Sequence, residues 1–168
     1  MKTRRMILCA LFAALTAVCA QVVIPMGPVP VNLALLPLLI CGALLPMRYA
    51  LAAALVYIGM GTAGLPVFAG MAGGPGILLG PTGGYIIGYV LCVAVTSLLM
   101  GKGVKRPVAM VVGVAACYAL GTPWLMVSAG MSLPQALLSG VVPFILGDIL
   151  KVFLASYLTK RLYLVVRP

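Results

Sequence analysis

The sequence predicts an all-α integral membrane protein, a bundle of six transmembrane helices forming one domain over residues 1–168. Three observations carry that prediction. The chain is 64% hydrophobic and 7% charged, with a mean hydropathy of +1.27, whereas a soluble domain carries about a quarter charged residues. Apolar runs long enough to cross a ~30 Å hydrocarbon core recur along it. The basic residues sit in short clusters between those runs, in alternate loops only.

The first run, residues 6–24, follows Lys2, Arg4 and Arg5. A basic start, an apolar middle and the small residues of Ala17-Val18-Cys19-Ala20 also describe a signal peptide. Two features favour a retained helix. The apolar run continues past the cleavage point, and its alanines pair at i, i+4: Ala10 with Ala14, and Ala13 with Ala17. Small residues in such rows let another helix approach closely, so these four are candidates for a partner interface; alanine is also simply common in membrane helices. The loop Pro25-Met26-Gly27-Pro28-Val29-Pro30 has three prolines and forms no helix. The second run, 31–45, contains Pro37 and is expected to kink there. Asn32, near its start, either faces an internal site or caps the helix end. A turn at Pro46-Met47-Arg48 leads into the third run, 49–63.

From Gly59 to Gly84 the chain holds ten glycines, three prolines and no charge. Glycine permits backbone conformations and close approaches denied to other residues. The loop 64–82 is too apolar for a solvated linker, with Leu65, Val67, Phe68 and Ile77 within it, and its length is that of functional loops. It reads as a lid folded over the bundle, with an ordinary connector as the alternative. The fourth run, 83–100, opens on Tyr85 and Tyr89, one turn apart. The basic loop after it has a Gly-Lys pair, but no glycine-rich lead and no following Ser or Thr, so it is no phosphate loop. The fifth run, 107–128, is expected to break near Gly121-Thr122-Pro123-Trp124, and the sixth covers 134–159. Lys160, Arg161 and Arg167 close the chain.

Every cation except Lys151 falls at the termini or in the second and fourth loops. The positive-inside rule then puts both termini in the cytoplasm and the glycine-rich loop outside. The net charge of +10 is therefore topological. A nucleic-acid reader would carry a stripe or a long basic tract. The five cysteines lie in apolar runs without C-x-x-C spacing, as buried apolar side chains do. With no histidine and one carboxylate, nearly every hard-metal or zinc site is removed, and the options for a paired nucleophile and base are almost absent. No cofactor and no catalysis are expected.

That one carboxylate is Asp148, inside the sixth run, and Lys151 follows one turn later on the same helical face. A charge within a span costs several kcal/mol or needs a partner. The length of the run places the pair near the bilayer midplane. It could lock two helices as a salt bridge, relay protons, or recognise a polar ligand against an apolar wall. A relay lacks further carboxylates or histidines. For a ligand, Lys151 can hold one acid group and Asp148 can accept N–H donors. Gln21, Asn32, Thr82, Tyr85 and Trp124 add neutral polar groups. A small, mostly apolar molecule with an acid group and an N–H-bearing end suits that inventory.

The stretches Gly64-Leu65-Pro66-Val67-Phe68-Ala69-Gly70 and Leu79-Gly80-Pro81-Thr82-Gly83-Gly84-Tyr85 resemble the signature of the BioY family, the biotin-specific S components of energy-coupling factor (ECF) transporters. Gly147-Asp148 with Lys151, and the small-residue pairs of the first run, resemble it too. The resemblance implies a multi-pass protein of the bacterial plasma membrane that binds biotin from outside. A transmembrane T component, packed against the first helix, and two ATPase subunits would drive release. Site residues implied are Asp148 and Lys151, with the Gly83–Tyr85 region (Gly84 and Tyr85 foremost) and the loop above them, where Phe68 lies. Asn32 joins the candidate set from its own position. Chemistry alone pairs Lys151 with the biotin carboxylate and Asp148 with the ureido N–H groups. Some members carry an arginine in the glycine-rich loop; Met71-Ala72-Gly73-Gly74 has none, which leaves the carboxylate to Lys151 or to backbone donors. An S component for another vitamin or solute, or a purely structural membrane subunit, are the alternatives.

Overall fold

The computed structural model describes residues 2–25 and 28–166, so Met26, Gly27 and Arg167 lie outside the described residues. The chain is mostly helical. The first helix, α1 (Lys2–Cys19), stops short of the apolar run's end. Beyond it Val22, Val23 and Ile24 are β-branched and Pro25 follows, a composition that favours extended backbone. Val23–Ile24 (β1) pairs antiparallel with Val31–Asn32 (β2), in the register Val23 to Asn32 and Ile24 to Val31. The fold is therefore not purely α: its first loop is a small ribbon.

Helix α2 (Leu35–Leu44) is the centre of the molecule. Nine of its ten residues are buried, as expected of a helix apolar all round, and it touches α1 and four helices further along the chain. The kink expected at Pro37 is absent. Pro37 is the third residue of α2, where the backbone N–H has no intrahelical partner and its loss costs nothing. Leu45, held extended before Pro46, ends α2 and lets α3 (Met47–Thr62) turn back immediately. The buried positions of α3, Ala50, Ala53, Ala54, Tyr57 and Gly61, form one helical face.

The glycine-rich loop contains a one-turn helix, α4 (Pro75–Leu79), begun by its proline. The antiparallel pair α5 (Gly83–Gly101) and α6 (Arg106–Ala129) follows. A Cβ added at Gly88 would meet Cys117, and one at Gly113 would meet Cys92 and Thr96. Small residues thus bring these backbones together. The break expected near Pro123 does not occur; α6 runs through it and ends only at Gly130, in the left-handed conformation.

The sixth apolar run, expected to be continuous, is two helices. A capping box of Ser132 and Gln135 starts α7 (Leu133–Gly140), and α8 (Val142–Val166) begins after Val141. A Cβ at Gly140 would collide with the Tyr85 hydroxyl and Leu125. The break shifts the charged pair. Asp148 lies six residues into α8, about 9 Å from its start at 1.5 Å per residue, rather than halfway along one long run. By length and composition α5, α6 and residues 142–163 of α8 can each cross a membrane, and α2 is a shorter apolar helix.

Candidate functional site

A cavity of about 190 Å³ opens between the helices and the two loops that cap them. Its helical half is contributed by α2 (Leu35), α3 (Tyr57), α5 (Tyr85, Ile86, Tyr89), α6 (Cys117, Tyr118) and α8 (Phe144, Asp148, Lys151). Its roof comes from the ribbon loop (Val29, Pro30, Asn32) and the glycine-rich loop (Phe68, Ala69, Ala72, Ile77). Six of the chain's twelve aromatic residues line it, among aliphatic side chains such as Leu35, Ile77 and Ile86. Tyr85 stacks on Phe144 with centroids 6.4 Å apart and planes 11° apart. Tyr57 meets Phe68 edge-on at 5.7 Å.

The structure brings Asp148 and Lys151 together. Lys151 Nζ donates to Asp148 Oδ1 at 2.7 Å, and both side chains are buried. The Tyr118 hydroxyl donates to the other oxygen, Asp148 Oδ2. Both carboxylate oxygens thus have a donor, and Asp148 takes one of the three donors that the Lys151 ammonium carries. Such a pair is poor evidence of stabilisation, since removing two charges from water offsets most of their attraction. It is good evidence of a site, because its polar groups stand in a cavity wall.

Asn32 is not the cap of α2, whose N-cap is Ala34 with no side-chain cap hydrogen bond. It lines the cavity, and its Oδ1 accepts the Ala34 N–H at 3.0 Å just ahead of α2. Phe68 is almost wholly buried, and its ring fills the space where Gly61 lacks a side chain. Tyr85 lines the cavity with its ring, while its hydroxyl points to Gly140 at the α7–α8 break. Gly84 is not in the lining. It lies against Trp124 and Gly121, where a Cβ would collide with the Trp124 side chain, and it serves the α5–α6 contact instead. Trp124 in turn donates to the Gly80 carbonyl at 3.0 Å and fastens the end of the loop. Thr82 lines the cavity.

The four alanines of α1 separate. Ala13 is buried and Ala17 packs behind it, so this row belongs to the fold and the expected four-residue partner surface is halved. Ala10 and Ala14 are exposed, among exposed Ile7, Leu11 and Val18.

Sequence reasoning missed Tyr118 and Tyr57. Each is one aromatic within an apolar run, and only the crossing of α6 with α8 brings Tyr118 to a residue thirty positions away. A hydroxyl-bearing ring in a spanning run was the available signal. Gln21 is visibly polar within its run, but its partners, Phe68 and Met71, lie 47 and 50 residues on.

The chain matches the model of the family described as "BioY family" over residues 1–167. It is 38% identical over 162 residues to "Probable biotin transporter BioY" of Pyrococcus horikoshii, covering 96% of this chain and 98% of that protein. It is 35% identical over 164 residues to "Biotin transporter BioY" of Thermotoga maritima, covering 95% of each. The fold superimposes on a crystal structure of the S-component for biotin from an ECF-type ABC transporter with a TM-score of 0.89 at 26% identity, covering 96% of this chain and 91% of that one.

Proposed function

The chain belongs to the BioY family, and from that membership we propose that it captures biotin in the cavity beside Asp148 and Lys151, as the substrate-specificity subunit of an ECF transporter. The observation that carries the reading is the buried Lys151–Asp148 pair, a donor beside an acceptor at 2.7 Å, in a wall otherwise mostly of aromatic and aliphatic side chains. Biotin's ureido group presents the complement, a carbonyl acceptor flanked by N–H donors, on an apolar fused-ring body.

That separation argues against dividing the pair between the two ends of the ligand, as residue chemistry alone suggests. Two groups 2.7 Å apart meet one end of biotin. We assign both to the ureido group, with Lys151 toward its carbonyl and Asp148 toward an N–H. The carboxylate, at the far end of the valerate chain, then lies toward the uncharged roof, where the side-chain amide of Asn32 lines the cavity.

Around this site we read six spans, one in each of α1, α2, α3, α5, α6 and α8, with cytoplasmic termini and the 64–82 loop outside. The charge-free loops support that orientation. The setting is the bacterial plasma membrane. The chain has no nucleotide-binding motif, so the energy comes from two ATPase subunits through a transmembrane T component. The exposed Ala10–Ala14 row of α1 is the surface we assign to that component. The protein itself binds and releases without chemistry.

Equilibrium binding of labelled biotin to the purified chain tests the reading. Saturable binding that D148N or K151M abolishes in a folded protein is expected. No binding at saturating biotin would leave another vitamin, or a structural subunit, as the function.

A further inference from the structure

Gln21 lies two residues past the end of α1, at the start of the segment that becomes the ribbon half of the roof. Its amide reaches across to the other half. Nε2 donates to the Phe68 carbonyl at 3.2 Å and to the Ala17 carbonyl of α1 at 3.0 Å. Oε1 accepts the Met71 N–H at 2.9 Å. Both ends of one carboxamide are therefore used, and they straddle a tight turn that Phe68 N–H closes on the Ala72 carbonyl at 2.9 Å.

Two features of that turn make the tie consequential. Met71 has a φ of 59°, the left-handed region that a non-glycine residue enters only when its surroundings hold it there. The residue is 68% exposed, so packing does not hold it; the closure of the turn between Phe68 and Ala72 and the hydrogen bond from its own N–H to Gln21 do. The other end of the turn is Phe68, whose buried ring lines the cavity. One amide thus helps to fix the backbone that aims the plug of the roof.

We propose that Gln21 is a latch, a positioning residue that ties the Phe68–Ala72 turn to the end of α1 and thereby sets how fast ligand leaves the cavity. The proposal rests on biotin occupying that cavity. A glutamine is required because the tie needs a donor and an acceptor one amide apart. Methionine keeps the length and loses both, and glutamate keeps the acceptor but sets a second oxygen against the Phe68 carbonyl.

The test uses the full chain in lipid nanodiscs, with wild type, Q21M and Q21E. Without ligand, hydrogen–deuterium exchange of the 65–74 segment is expected to accelerate in both variants, while α5 and α6 exchange as in wild type. With labelled biotin, dissociation is expected to accelerate about tenfold in Q21M, the scale of losing one or two neutral hydrogen bonds. Association should accelerate as well, since an unlatched roof opens more often; a merely structural defect lowers the bound fraction and leaves the dissociation rate of the folded fraction unchanged. Unchanged exchange, or faster exchange with unchanged dissociation, overturns the latch. Should Q21M not fold, the same two measurements on Q21E decide the question. Wild type that does not bind biotin defeats the functional reading instead, while the exchange arm still decides whether Gln21 holds the turn.

Discussion

The helical half of the cavity and its roof are made of opposite materials. The helical half holds the only acidic side chain of the protein, a buried lysine and five of the six lining aromatics, each fixed by a helix packed on its neighbours. The roof has no charge, and its glycine-rich part is shaped by backbone: Gly64, Gly70, Gly74 and Met71 all take positive φ. One half is positioned by packing, which is costly to deform. The other is positioned by a few hydrogen bonds and one inserted ring. The difference suggests a division of labour in which the helices choose the ligand and the roof sets how long it stays.

The largest effects should come from the charged pair. K151M is expected to lower biotin affinity at least about 100-fold and to destabilise the protein by about 3–5 kcal/mol, because it leaves a buried carboxylate without its counterion. The double variant D148N/K151M should recover much of that stability and none of the binding. Thermal unfolding beside equilibrium binding checks both halves of the expectation. Recovery of the two together would mean that the pair only holds helices, and the contrast between halves would fail.

Y118F removes the donor to Asp148 Oδ2 and should weaken binding about tenfold, within the ~1–3 kcal/mol cost of an unsatisfied acceptor. The loss should fall on affinity more than on dissociation alone, as suits a residue of the selecting half. G61A tests the roof from below. Its new methyl group collides with the Phe68 ring, an overpacking worth about 1–3 kcal/mol. Stopped-flow measurement should show faster release with little loss of selectivity between biotin and analogues altered in the ureido group. The smallest effect on binding is expected at A14L, on the exposed face of α1. Affinity should be unchanged, whereas co-purification with the T component should fail.

The two halves also differ in how far the sequence disclosed them. The helical half was legible because apolar runs, charge sorting and the i, i+3 spacing of Asp148 and Lys151 are local patterns. Errors there concern breaks. Pro37 and Pro123 look alike as letters, yet one sits in a first turn where a missing N–H is harmless, and the other lies within a helix that continues through it. The divide at Val141 lies between Gly140 and Pro143, a helix-ending glycine and a first-turn proline that the reading of one continuous run passed over, and tight packing of Gly140 on Tyr85 accompanies it. The roof was legible only as composition. Its glycines and Phe68 marked it as unusual, but the ribbon, the left-handed Met71 and the Gln21 tie depend on pairings that local composition does not announce, the last of them reaching some fifty residues along the chain. For Ala10, Ala13, Ala14 and Ala17 the spacing was visible, and which row faced inward was decided by the placement of α1 on the bundle.

The glycine-rich roof also has a calorimetric consequence. Glycine loses more conformational freedom on ordering than any other residue, and backbone ordering costs about 1–2 kcal/mol of entropy per residue. A roof that settles over its ligand therefore draws a large unfavourable entropy, offset by the heat of the contacts that it closes. Capture should be exothermic and should weaken on warming, to a degree set by how many glycines become ordered.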